Sequence, residues 1–258
     1  MLRIHSILLL MLAALSAQPA STPASLTQAG VAEFTAAYQA WDGARFAAAA
    51  ELFRRASTNA PASSTNFYWL GAAQFHRLLQ LQHAPANPTN KAAGEAALST
   101  AVEALTTAVK LNARDAESHA LLGTLYGMKI DGNLIRAARF GPRVNKHREL
   151  ALKHGAANPR VQYLLGTCQF HTAKKPAEWR DTLKTFQIAE KLFEKEAGAP
   201  GGPTEPRWGY STCLTFIGLT CEKLGQRTEA GAYFRKALAR HPLDSVAQAG
   251  LKRAAQPQ

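Results

Sequence analysis

Small and large apolar residues recur along this chain at helical spacing. Phe46, Ala49, Phe53 and Ala56 fall three or four residues apart, and Pro61 follows. The same order returns near the C-terminus as Ala230, Phe234 and Ala237, with Pro242 behind them. This spacing lays one apolar stripe along a helix, with small residues where a second helix crosses closely and a phenylalanine filling the groove between them. Proline cannot continue a helix and restricts the residue before it, so it closes each run. Upstream of the second run, Ile217-Gly218 sits on a preceding helix where the pair must approach, and Gly225 marks the chain reversal. A glycine there takes a positive φ at little steric cost. No segment shows strand-like alternation, so the pattern predicts an all-α fold of helix hairpins in tandem.

The order Ile217-Gly218, Gly225, Ala230, Phe234, Ala237, Pro242 resembles the tetratricopeptide repeat family, a unit of about 34 residues built as helix–turn–helix. Leu70-Gly71 with Ala101, Leu105 and Ala108 continues the resemblance, as do Leu122-Gly123 with Tyr126, and Leu165-Gly166 with Phe186 and Ala189. Departures are present: Ala113 and His154 stand in slots the family fills differently, and the first unit lacks the leucine-glycine pair. The resemblance implies a solenoid over 29–258, with about five units at 29–62, 64–114, 116–160, 159–196 and 207–242 and a capping helix at 243–255. Short shared motifs (Met128 to Ile130, Gly141-Pro142, Asn158 to Arg160, Trp208-Gly209) also resemble a group of exported bacterial proteins of this repeat type.

Breakers interrupt the period. His83 to Gly94 is rich in Pro, Asn and Ala and predicts a surface loop. Lys129 to Lys146 is an insertion with breakers at Gly132-Asn133 and Gly141-Pro142, and Ala197 to Pro206 links the fourth unit to the fifth. At the start, Arg3 and the apolar run Ile4 to Leu15 predict a cleavable signal peptide over 1–20, and hence a periplasmic or secreted protein. The polar stretch 21–28 is expected to be a disordered lead-in.

In the family the first helices of the hairpins line a concave face. Taking Gly71, Gly166 and Gly218 as buried reference points, that register turns Tyr68, Phe75, Thr124, Met128, Tyr163, Thr167, Phe170 and His171 toward it. The resemblance then implies a groove that holds a peptide or protein partner, with rigid aromatics as anchors. The same stripes rotated slightly would be core, and the sequence leaves groove and core both open. The positions where one branch of the family clamps a peptide carboxylate hold Tyr68, Ala72, Tyr163 and Thr167 here, which argues against that mode.

Charge changes the picture further. The chain carries 30 basic and 18 acidic residues, for a net charge of +12. Residues 129–160 hold eight of the basic ones (Lys129, Arg136, Arg139, Arg143, Lys146, Arg148, Lys153, Arg160) against Asp131 and Glu149. Such a patch attracts anionic partners. An acidic protein is one candidate, and a peripheral envelope contact with anionic lipid or polymer is the alternative function. A solvated basic face without a partner is the plain reading. Nucleic acid is not expected for an exported protein without a readout motif.

Chemistry has little support. Cys213 and Cys221, eight residues apart on one predicted helix, stand about 12 Å apart and cannot pair. Cys168 could meet Cys221 across neighbouring helices, although three buried apolar side chains is the simpler expectation. Using both Cys213 and Cys221 with Cys168 and His171 for zinc fails on the same separation. No nucleophile elbow, phosphate loop or dinucleotide motif occurs. The expectation is a non-catalytic binding scaffold with no metal and no cofactor.

Overall fold

The computed structural model describes residues 22–256, which form eleven α-helices and no strand among the described residues. Ten of them pair as antiparallel hairpins. The pairs are α1 (Pro23–Ala40) with α2 (Gly43–Asn59), α3 (Ser64–His83) with α4 (Pro88–Leu111), and α5 (Ala116–Ile130) with α6 (Leu134–Gly155). Then come α7 (Pro159–Thr172) with α8 (Pro176–Ala197) and α9 (Tyr210–Lys223) with α10 (Arg227–Arg240), and α11 (Ser245–Ala255) caps the row. Starts are set locally. The Asp42, Ser63, Asn87, Asp115, Asn133, Asn158 and Asp244 side chains accept hydrogen bonds from first-turn N–H groups. Pro23, Pro88, Pro159 and Pro176 stand where a helix has no N–H bond to lose.

Inside each hairpin, glycine on the first helix meets a large side chain on the second. A Cβ at Gly166 would lie 2.6 Å from the Phe186 ring, and one at Gly218 equally close to Phe234. Gly71 meets Leu105 in the same way, and Gly30 meets Phe53 at 2.6 Å. The first unit therefore fills its crossing slot with Gly30, without a leucine before it. Ala49, Ala101, Ala189, Ala230 and Ala237 are fully buried at 0% exposure, as close helix crossing demands.

Three expectations are corrected. Residues 22–28 are not a disordered lead-in: Thr22 caps α1 by accepting from the Ser25 N–H, Pro23 opens the helix, and Leu26 and Thr27 are buried. Ser21 and the expected signal peptide at 1–20 lie outside the described residues. The loop expected over 83–94 shrinks to 84–87, because Asn87 and Pro88 are a helix start and not a break. Within 129–146 the chain turns only at 131–133, and Gly141-Pro142 lies inside α6. Pro142 and Ala138, whose carbonyl loses its N–H partner, are both exposed, so water can satisfy that carbonyl.

Candidate functional site

Helices α1, α3, α7 and α9 turn aromatic side chains toward a common interior, and the chain places its own Trp208 among them. The irregular segment 198–209 joins α8 to α9; its residues 198–203 are exposed, and its end enters there through Thr204 and the buried pair Trp208-Gly209. The Trp69 Nε1–H donates to the Thr204 carbonyl at 2.9 Å, and the Trp208 Nε1–H donates to the Tyr68 hydroxyl at 3.0 Å. Trp208 is 3% exposed, edge-on to His76 with ring centroids 4.8 Å apart. Gly209 makes the entry possible: its φ of 103° belongs to glycine, and a Cβ would crowd the Phe193 ring at 3.1 Å. Its N–H donates to the Tyr38 hydroxyl at 3.2 Å, which also pairs with Thr212 at 2.8 Å. His241 Nε2 reaches the Gln39 carbonyl at 2.9 Å. The first hairpin thus touches the fifth, and the row curls until its ends meet.

A buried polar network lies along the same interior. Glu117 accepts from the Tyr68 hydroxyl, from Asn158 Nδ2 at 2.7 Å and from Arg160 Nε at 2.8 Å. The Arg160 fork continues to Glu196 at 2.6 and 2.9 Å. Burial opposes the guanidinium charge, but the Glu117 and Glu196 carboxylates outweigh it and hold Arg160 above its usual pKa. Burial raises the Tyr68 phenol far above its ordinary value, reinforced by Glu117. At 2% exposure Arg160 is a structural clamp between α5, α7 and α8, so it leaves the expected basic patch.

The expected groove residues divide accordingly. Tyr68, Phe75, Tyr163 and Thr167 are buried and cannot meet a partner; Trp208 covers Tyr68 and Tyr163. Thr124 is half-buried and donates to the Ala120 carbonyl, and Met128 is half-buried against the core. Phe170 is partly open and His171 exposed. The structure adds residues that the repeat register did not select: Trp69 and Trp208 inside, and Phe216 and Trp179 beside Phe170. The Phe170 ring meets Phe216 and Trp179 edge-on, each at 5.1 Å between centroids. All three rings are partly exposed. Beside them opens a polar pocket lined by Gln169, Thr172, Glu178 and Asp181. Trp179 was findable only as an aromatic near a helix start, and Phe216 needed the packing of α7 on α9.

The basic residues lie mainly on α6. Arg136, Arg139, Arg143, Lys146, Arg148 and Lys153 are exposed and Lys129 is half-buried. Arg139 and Arg143 stand 5.3 and 5.9 Å from the Phe140 ring centre, and Arg143 also 5.5 Å from that of Tyr126. His119 Nε2–H donates to the Ala113 carbonyl at 3.1 Å, so its Nδ1 accepts from the His147 Nδ1–H at 2.8 Å and joins α5 to α6.

Reactive groups are held inert. All three cysteines are free. Burial pushes the Cys221 thiol up to about 11 and raises Cys168 and Cys213 as well, so all three stay protonated at neutral pH. No group of three metal-ligating side chains is present among the described residues.

Among solved structures, the chain is similar to TTC0263, a thermophilic TPR protein in Thermus thermophilus, with a TM-score of 0.62. Identity is 16%, and the match covers 90% of this chain and 98% of that one. It is also similar to a chain of the APC/C hetero-tetramer Cut9-Hcn1, at a TM-score of 0.52 and 16% identity, covering 91% of this chain and 43% of that one. The fold is that of a tetratricopeptide repeat solenoid. No protein-family model matches the chain, and no curated protein does.

Proposed function

We propose that this chain is a non-catalytic scaffold that holds a peptide or protein partner at the rim of its concave face, where Phe170, Trp179 and Phe216 meet. One observation carries the reading: the interior already grips the end of an irregular stretch of its own chain, through an indole-to-carbonyl bond at Thr204 and an aromatic cage around Trp208. A surface that binds its own chain in this way has the chemistry to bind another. The part left open offers partly exposed rings as anchors beside the polar pocket at Thr172, Glu178 and Asp181. An acidic partner would also associate faster through the field of α6. Export belongs to the same proposal and rests on residues 1–20; N-terminal sequencing of the mature protein checks it.

The test is site-directed photocrosslinking in the native cell. A crosslinking residue at His171 should yield a discrete protein adduct, and the same residue at Lys191 on the far side of α8 should not. Phe170→Ala should reduce the adduct about tenfold, the range of a buried aromatic anchor. Equal labelling at both positions, or none at His171, ends the proposal.

A further inference from the structure

Helix α6 carries an outward face that the fold does not use. Ala151 is its one buried residue. Leu134 and Ile135 are 87% and 82% exposed, the most open large apolar side chains among the described residues. Ala138 and Pro142 are exposed as well, and at helical spacing they continue the side that Leu134 and Ile135 begin. Arg136, Arg139, Arg143 and Lys146 are exposed along the same stretch. Across 129–155 the chain holds seven basic residues against Asp131 and Glu149. Of the two, Asp131 is 3.9 Å from Arg136, leaving most of the positive charge without a carboxylate beside it.

Two demands meet on this face. Leu134 and Ile135 gain from leaving water, and the guanidinium groups gain from anions beside them. A soluble anionic polymer satisfies the second demand and offers no hydrocarbon for the first. The interface of an anionic bilayer satisfies both. We propose that α6 docks this chain on an anionic lipid bilayer, with Leu134 and Ile135 entering the headgroup–acyl boundary and Arg136, Arg139, Arg143 and Lys146 at the lipid phosphates. No helix among the described residues is long and apolar enough to cross a membrane, so this contact is peripheral. The opposite side of α6 stays packed on α5 through Phe140 and Val144, so docking needs no rearrangement of the hairpin.

Co-sedimentation of the full chain with vesicles tests this, using phosphatidylcholine alone or mixed with phosphatidylglycerol. Binding to the mixed vesicles and not to phosphatidylcholine alone is expected. Arg139→Gln with Arg143→Gln should weaken it about fivefold for each arginine removed. Leu134→Ser with Ile135→Ser keeps the charge and should weaken it at least about tenfold. On heparin, a soluble polyanion, the serine variant should elute with the wild type. All four positions are exposed, so the variants should keep the wild-type circular dichroism. Unchanged vesicle binding by the serine variant overturns the inference, as does a wild type that ignores anionic vesicles. Phe170→Ala should leave vesicle binding intact, which separates this proposal from that of the aromatic rim.

Discussion

The third and fourth hairpins place helices of equal length behind their first helices, and the two helices behave differently. Helix α8 buries Thr182, Thr185, Phe186, Ala189, Glu190 and Phe193, whereas α6, also 22 residues, buries Ala151 alone. At the crossing, Gly166 is pressed by Phe186, while a Cβ at Gly123 would meet nothing nearer than the Val144 carbonyl at 3.6 Å. Both first helices carry the leucine-glycine pair, so the difference comes from what stands opposite. The fourth hairpin supplies a phenylalanine to fill the crossing. In the third, Val144 and Arg148 stand there and border an apolar crevice at the α5–α6–α7 junction. A repeat signature on one helix secures that helix and leaves its partner free to serve another purpose.

The largest expected effect lies on the tight side. Arg160→Ala leaves the buried Glu117 and the partly buried Glu196 without their cation and should cost about 3–5 kcal/mol in urea unfolding. Arg139→Ala, on the open face of α6, should stay within about 0.5 kcal/mol. Equal losses would erase the contrast between the two hairpins.

Acid should act next. Burial in a cage of Phe34, Tyr38, Phe46, Phe75 and Trp208 pushes the His76 imidazole down to about 4 from 6.5. The unfolded chain then binds that proton first as pH falls. The His76 contribution is whole above pH 6.5 and is lost on the way down to about 4, on the order of 3 kcal/mol for this shift. His147 on α6 is also pushed to about 4, first by burial and then by His119, and its share is smaller because solvent reaches it. Thermal melts between pH 7 and 4 should therefore flatten more in His76→Phe than in His147→Gln.

The glycine pair gives the finest discrimination. Gly166→Ala forces a methyl into the Phe186 ring and should destabilise by about 1–3 kcal/mol. Gly123→Ala meets ordinary contacts and should stabilise by about 0.5–1 kcal/mol, through the lost freedom of the unfolded chain. A destabilising Gly123→Ala would show that α6 packs more tightly than its open crossing implies.

Much of this architecture was legible in residue order. Gly71, Gly166 and Gly218 occupy matching crossings because a missing side chain is a local property that the spacing displays directly. Helix starts were less legible. Asn87-Pro88 and Thr22-Pro23 carry the same residue types whether they break a helix or begin one, and only the neighbours they pack on decide. The candidate site was harder still. Tyr68 and Tyr163 were placed on the correct helices, but their burial depends on Trp208, which lies 140 residues from Tyr68 and touches it only after the row has curled. Arg160 counted as one more positive charge until Glu117 and Glu196 were seen beside it.

By itself the sequence determined the repeating hairpins, the small residues at their crossings and the clustering of positive charge before α7, because each depends on neighbours within a few helical turns. Tertiary structure alone decided that Trp208 enters the concave face, that Arg160 is a clamp, and that Leu134 and Ile135 stand in water. Those outcomes depend on how far the stack curls and which helix faces remain uncovered. Both are set by the sum of many small crossing angles, to which every hairpin contributes.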